Sequence, residues 1–326
     1  MDFDKLTQKK KLLEKHKQLP EPLVHNLDNW FRVELTYNSN AIEGNTLTRQ
    51  ETAMVVEKGI TVGGKTLNEH LEATNHYQAL EWVKEKIGHS PKYITEKDIL
   101  TIHEYILRGI NSLNAGRYRN IAVRIAGSMV IMPNPVKVPE LMKNFSTWLK
   151  QAHSSLHPVE FAAEAHYKLV TIHPFIDGNG RTARLLMNMI LLMHGYPMAI
   201  IRKRDRLAYI NSLEKAQLGG SLDDYFKLII NAVDRSLNVY LKAVSGKMEK
   251  LQDTANLLKI GELAEKVGVS NATIRYWTKE GLLEVAEITP SGYQLYSKDM
   301  IEQVKKIHAL KDKRYTLQEI KNQLNR

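Results

Sequence analysis

The stretch "HPFIDGNGRTAR", residues 173–184, sets one histidine, one carboxylate, two arginines and two glycines between apolar segments. Those segments are "HPVEFAAEAHYKLVTI" before it and "TARLLMNMILLM" after it, both with helical apolar spacing. A plain turn needs one glycine and an asparagine. This loop feeds a helix N-terminus, where unpaired amides and the positive end of the dipole hold anions such as phosphate. Gly178 and Gly180 let backbone approach the anion closely. Arg181 and Arg184, three apart, can reach the same anion from the first turn. Asp177 can hold a divalent cation against phosphates, and His173 titrates near neutrality, as a general base must. Together the parts make a Mg2+–nucleotide site with a base beside it. Each part also has a plainer reading: a helix-to-helix turn, a structural histidine, surface ion-pair arginines. Phe175 reads as core packing beneath the loop. The conjunction favours the site.

A chain of 326 residues predicts two domains. Its 43% hydrophobic and 25% charged residues are enough for an ordinary soluble core. The absence of cysteine excludes a disulfide scaffold and any thiolate metal site, and suits a reducing cytoplasm. No apolar run reaches membrane-spanning length, and "MDFDKLTQKKKLLEKHKQ" is too polar for a signal peptide. The expected location is therefore cytoplasmic, with no membrane partner. A net charge of +10 hints at an anionic partner. The charge is diffuse, however: from residue 257 onward 12 Lys/Arg face 9 Asp/Glu, a surplus of 3.

The first 90 residues read as helices. "LTQKKKLLEKHKQLP" stops at Pro20, and "EPLVHNLDNWFRVELTYNSNAIEGNTLT" closes at Gly44 and Asn45. "TRQETAMVVEKG" has a Thr cap, an acid three positions on, and a terminal Gly59. A further helix ends at Gly88, and residues 95–112 predict another. "RYRNIAVRIAGSMVIMPNPVKVP" is β-branched and partly alternating, with Gly-Ser in the middle, and predicts a β-hairpin flap. Helices then run to about residue 250, and "AVSGKMEKLQDTANLL" reads as a linker. The expected divisions are 1–90, 91–235, a linker at 236–256, and 257–326. His157, Glu160 and Glu164 fall at helical spacing with His166 near. Without an opposing cluster they read as a helix face rather than a transition-metal site.

"HPFIDGNGRTAR" resembles the signature of the Fic (Fido) family, His-x-Phe-x-Asp/Glu-Gly-Asn-Gly-Arg-x-x-Arg, at every fixed position. "GRYRNIAVRI" is similar to the opening of that family's target-docking flap, and the likeness covers roughly residues 30–230. The fold it implies is mainly α: a helical core with a small β-hairpin flap, followed by a separate C-terminal domain. The activity it implies is transfer of AMP from ATP to a hydroxyl of a target protein, or of the chain itself, with release of pyrophosphate. By motif position His173 is the base and Asp177 binds Mg2+, with Mn2+ as an alternative. Gly178, Asn179 and Gly180 form the anion hole, Asn179 reaching the α-phosphate. Arg181 steadies the leaving group and Arg184 takes the γ-phosphate. Flap residues Ile125, Ala126, Gly127, Ser128, Met129, Val130, Ile131 and Met132 would align a target segment by strand addition.

"SNAIEGN", residues 39–45, resembles the family's inhibitory motif through Ser39, Glu43 and Gly44, in the class whose inhibitory helix lies N-terminal. The resemblance implies that Glu43 pairs with Arg184 and occupies the charge meant for the γ-phosphate. The plainer reading makes Glu43 a helix-end residue before a glycine cap. A glutamate there opposes the dipole, which favours the brake.

"KIGELAEKVGVSNATIRYWTKEGLL" followed by "SGYQLYSKDMIEQVKKIHALKDKRYTLQEI" resembles a MerR-type winged helix-turn-helix. Ser270 would cap the recognition helix, and Thr273, Arg275 and Tyr276 would face DNA. Gly292, Tyr293 and Tyr296 match the wing, although Glu287 and Gln294 stand where basic residues are common. The expected protein is thus an autoinhibited adenylyltransferase whose partners are ATP and a target protein, with residues 257–326 binding DNA, recruiting a protein target or packing on the core. A homo-oligomer is compatible with this. Two alternatives stay open: a nucleotide-sensing DNA-binding regulator, and a Fic enzyme that removes AMP or transfers another phosphate-linked group.

Overall fold

The computed structural model describes residues 3–15, 21–244, 257–288, 293–312 and 315–324. The chain divides into two compact units, Met1–Lys247 and Met248–Arg326. The first is helical throughout its assigned elements: α1 (Phe3–Lys15), α2 (Glu21–Ile42), α3 (Arg49–Lys58), α4 (Leu67–Glu85), α5 (Glu96–Leu107), α6 (Val138–Ala152), α7 (Pro158–Ile172), α8 (Asn179–Met193), α9 (Arg206–Gln217) and α10 (Asp223–Val244).

The helix boundaries follow local chemistry. Thr48, Thr66 and Thr95 each close a capping box with an acid three residues on, which fixes the starts of α3, α4 and α5. Gly59 ends α3 at φ 64, a left-handed position that suits glycine. The sequence expectation carried the fifth helix to 112; it ends at Leu107, because Arg108 turns extended and Gly109 adopts φ 73. Pro20 lies outside the described residues, as does 245–256 of the linker segment; α10 itself runs to Val244.

α8 is the centre of the unit. From Thr182 through Leu191 every residue is buried, as an apolar segment wrapped on all sides must be. It packs against α7, to which the 173–178 loop joins it, and against α4 and α5. α1 packs on α10 at the periphery. The loop is thereby built on the most buried helix pair of the unit, which holds its side chains in place.

The flap differs from the expected hairpin. Residues 122–134 carry no strand ladder, and no backbone hydrogen bond joins the two arms among the described residues. A turn is present, Ser128 N donating to Ile125 O at 3.1 Å around Gly127 at φ 79. Side chains replace the ladder. Arg119 Nη2 donates to Pro133 O at 2.6 Å and its Nη1 to Ile121 O at 3.1 Å. Glu214 of α9 accepts from Ser128 Oγ at 2.9 Å and from Met129 N at 2.8 Å. Val130 and Met132 turn inward, while Met129 and Ile131 are exposed, so the outer arm is extended with an open edge.

The second unit comprises β1 (Leu257–Lys259), α11 (Ile260–Val267), α12 (Asn271–Lys279), β2 (Glu287–Ile288), β3 (Gln294–Ser297), α13 (Asp299–Asp312) and α14 (Leu317–Leu324). Its antiparallel sheet has the order β1-β3-β2, with Leu258 opposite Tyr296 and Glu287 opposite Leu295. Leu263, Ile274, Trp277, Val304 and Ile307 form its own core. Among the described residues, no helix of either unit is long and apolar enough to cross a membrane.

Three histidines are locked neutral inside the first unit. Burial lowers His76 to about 3, assisted by Arg184 and Arg181 nearby, and lowers His103 to about 4 and His166 to about 3. Below the unfolded value near 6.5, the unfolded chain binds protons that the folded chain does not. Stability therefore falls as pH drops, by roughly 1.4 kcal/mol per pH unit for each histidine. Urea midpoints of the first unit should decline steadily from pH 7 to pH 5. A flat profile over that range would contradict the neutral assignment.

Candidate active site

His173 ends α7 in the left-handed region at φ 50, alone among described non-glycine residues. Its N–H still bonds Leu169 O at 2.9 Å, so the chain leaves the helix and reverses at this residue. The ring is then oriented by Nδ1, 3.3 Å from Val170 O. A carbonyl can only accept, so Nδ1 carries the proton and Nε2 is left as acceptor. Burial lowers the His173 pKa; Val170 O, Glu43 and Asp177 oppose that and Arg119 adds to it. The ring is neutral at pH 7, as a base must be.

The loop is clasped from inside. Asn179 Oδ1 accepts from Phe175 N at 3.0 Å, and its Nδ2 donates to Phe175 O at 2.9 Å. These two bonds fix the side chain and use one of the two Nδ2 N–H donors, leaving the second uncommitted. Phe175 is fully buried and stacks on His103 at 3.6 Å between centroids, as expected of packing beneath the loop. His103 Nδ1 accepts from Gly116 N at 3.0 Å, so its Nε2–H donates to Asp177 O at 2.9 Å. Gly178 sits over this ring at φ 75, a conformation side chains rarely adopt, and a methyl group there would crowd His103 and Ile106 at 3.2 Å.

α8 begins at Asn179, and its first intrahelical bond is Thr182 N to Gly178 O. The amides of Asn179, Gly180 and Arg181 precede that bond and face outward at the positive helix end. Arg181 Nη1 donates to Glu72 at 3.0 Å, with Asp177 Oδ2 at 3.5 Å from Nη2. Arg184 is 2% exposed. Its Nε donates to Ser39 Oγ at 2.9 Å, and Nη2 donates to Ser39 O at 2.8 Å and to Glu43 Oε1 at 2.6 Å. The Glu43 carboxylate lies directly over Gly180, where even a methyl group would overlap it.

Sequence reasoning brought together His173, Asp177, Gly178, Asn179, Gly180, Arg181, Arg184, Ser39, Glu43 and Gly44, and the structure places them in one site. It missed several neighbours. Arg119 Nε donates to His173 O at 2.8 Å and its N–H to Pro174 O at 2.9 Å, tying the flap base to the loop. A buried chain runs from Tyr209, beside Arg184, to His166 Nε2 at 2.8 Å, and from His166 Nδ1 to Tyr225 at 2.9 Å. The polarity is consistent: Tyr225 donates to Ala163 O, so His166 Nδ1–H donates to Tyr225. His166 therefore serves packing around Arg184. His157 caps α7 and contacts Thr7 and Tyr196 instead. Only chain topology assembles these contacts between elements, whose partners lie 25 to 150 residues apart in sequence.

In the second unit Ser270 Oγ accepts from Thr273 N at 3.1 Å and caps α12 as expected. Arg275 and Tyr276 are exposed on α12, and Tyr293 is exposed beside β3. Tyr296 lies in β3 and is fully buried, its hydroxyl meeting Thr278 and Gln294 at 2.9 Å, so it anchors that strand to the core. Gly292 lies outside the described residues.

Comparison with known proteins agrees with this geometry. Residues 93–191 match the Fic/DOC family, and residues 258–326 match the MerR HTH family regulatory protein model. A protein adenylyltransferase Fic from Nematostella vectensis is 41% identical over 210 residues, covering 64% of this chain and 48% of that relative. The chain thus spans about half the length of the curated relatives it matches. Fic-1 from C. elegans superposes with a TM-score of 0.66 at 32% identity, over 74% of this chain and 72% of that one. A Fic domain containing signaling protein from Bacteroides thetaiotaomicron gives 0.67 at 29% identity, over 77% and 100%. With the loop, the clasp beneath it and a solved relative matched over most of both chains, this protein belongs to the Fic/DOC family.

Proposed function

We propose that the chain is a protein adenylyltransferase held inactive by Glu43. One observation carries the reading: a neutral His173, its Nε2 free to accept, stands at the rim of a cradle of first-turn amides and buried arginines. A target hydroxyl oxygen attacks the α-phosphorus of ATP and its proton passes to His173 Nε2. The bond to the bridging β-phosphate oxygen breaks and pyrophosphate leaves. Amides of Asn179, Gly180 and Arg181 hold the phosphate oxygens, and Arg181 offsets charge growing on the leaving group. Arg184 takes the γ-phosphate once Glu43 withdraws.

Asp177 fits a magnesium ion: its side chain is 63% exposed toward solvent, and a single carboxylate plus substrate phosphates suits that ion. Bound there, the ion would neutralise charge between the α- and β-phosphates. The open edge of the flap, with Met129 and Ile131 exposed, suits an extended target segment.

The test is ATP labelled on either phosphate. With the Glu43→Gly chain, label on the α-phosphate should enter protein and label on the γ-phosphate should appear in pyrophosphate. Incorporation of the γ-label would replace AMP transfer with phosphoryl transfer. A second reading has one observation behind it: the Glu43 carboxylate over Gly180 is placed to orient water toward a phosphate-linked AMP. That reading predicts release of AMP from a modified target by the unsubstituted chain.

The second unit supports DNA binding through α12, whose Ser270 cap, Arg275 and Tyr276 suit a recognition helix. Binding of the full chain to duplex DNA should weaken steeply with salt. Salt-insensitive retention, or none, would remove the proposal.

A further inference from the structure

α4 supplies a second carboxylate whose role the motif leaves unassigned. Glu72 Oε1 accepts from Arg181 Nη1 at 3.0 Å, and Oε2 accepts from Asn45 Nδ2 at 2.8 Å. Asn45 stands two residues beyond Glu43 in the same turn. Its N–H bonds Asn40 O at 3.1 Å, and its Oδ1 accepts from Leu47 N at 3.0 Å. The α4 backbone adds to this grip: Glu72 O accepts from Asn40 Nδ2 at 3.1 Å, and Glu69 O from Asn45 Nδ2 at 3.0 Å. Each arginine of α8 is therefore paired with a carboxylate from a different element, and one of those carboxylates also holds the turn that bears the other.

Arg181 is 4% exposed, so water cannot neutralise it. Asp177 is the weaker partner, at 3.5 Å and 63% exposed. Glu72, nearer and 22% exposed, dominates. We propose that Glu72 is a positioning residue with two duties: it aims Arg181 at the phosphate cradle, and through Asn45 it keeps Glu43 in register with Arg184. Its activity arm rests on the adenylyltransferase reading; its binding arm does not.

The two duties give opposite signs in two backgrounds. A glutamine at this position can satisfy only one of the two donors. With Glu43 present, Glu72→Gln frees the turn and removes a carboxylate competing for Arg181. AMP transfer should rise about ten-fold, and the ATP dissociation constant measured by calorimetry should fall about five-fold. In Glu43→Gly, with no brake left to loosen, the same change should lower kcat about ten-fold without raising KM for ATP, because Arg181 is no longer aimed. Loss of activity in both backgrounds, as from a merely structural defect, would overturn the proposal, and so would no change in either. If no variant transfers AMP, Glu43→Gly included, the reaction reading fails and calorimetry still decides. A five-fold lower ATP dissociation constant in Glu72→Gln supports the coupling, and an unchanged one overturns it. Should Glu72→Gln fail to fold, Asn45→Ala leaves the Glu72–Arg181 pair in place and removes the side chain that ties the turn to Glu72, Glu69 O and Leu47 N. It should raise AMP transfer with Glu43 present; no rise would overturn the link.

Discussion

Glu43→Gly raises AMP transfer by roughly two orders of magnitude. Ser39 Oγ, Ser39 O and the Tyr209 hydroxyl also contact the buried Arg184 guanidinium, but the Glu43 carboxylate at 2.6 Å is the charged partner. A charge-assisted hydrogen bond in a desolvated site is worth about 1.5–3 kcal/mol, and the γ-phosphate must displace it before ATP binds productively. The carboxylate also fills the space over Gly180 that the phosphates need. Glycine at 43 removes both obstacles without orphaning Arg184, which keeps its two bonds to Ser39. Initial rates of AMP incorporation read the effect directly. A rate within two-fold of the unsubstituted chain would mean that the Glu43–Arg184 pair is no brake.

Replacing His173 in the Glu43→Gly background lowers the rate by roughly a thousand-fold, the range lost with a general base. ATP affinity should stay within about two-fold, since amides and arginines hold the phosphates. The left-handed backbone at 173 makes His173→Asn the cleaner variant, because asparagine tolerates φ 50 and its amide can keep the bond to Val170 O. Alanine pays backbone strain as well. With histidine present, burial holds the ring pKa below its ordinary 6.5. The rate should be level near neutrality and fall as pH drops through that lowered value. A rate still climbing above pH 8 would point to a different base.

Much of this site is local chemistry, and local chemistry is legible in a sequence. Glycines flanking Asn179, arginines three apart and a long apolar run after them define an anion-binding helix start without any tertiary information. Capping boxes at Thr48, Thr66 and Thr95 are equally local, and so is the Ser270 cap. Contacts that close over long separations are not. Glu72 reaches Arg181, and His103 reaches Asp177, because α4 and α5 pack on α8. Nothing in their neighbouring residues marks either one. Asn179 shows a different limit: nothing beside it in sequence says that its side chain also clasps the loop from inside, as it does through Phe175 N and Phe175 O. The flap shows a third. β-branched residues predicted strands, but Pro133 and Pro135 lack the donors a ladder needs. Arg119 and Glu214, outside the turn, hold the arms instead. Tyr296 matched a wing by spacing, and a register opposite Leu258 turns it into the core.

The most direct test is intact mass after incubation with ATP and Mg2+, comparing the unsubstituted chain, Glu43→Gly, and Glu43→Gly combined with His173→Ala, each with and without candidate target protein. The account predicts addition of one AMP with Glu43→Gly, little with the unsubstituted chain, and none with the double substitution. Equal addition with and without Glu43, or addition that survives loss of His173, would contradict it.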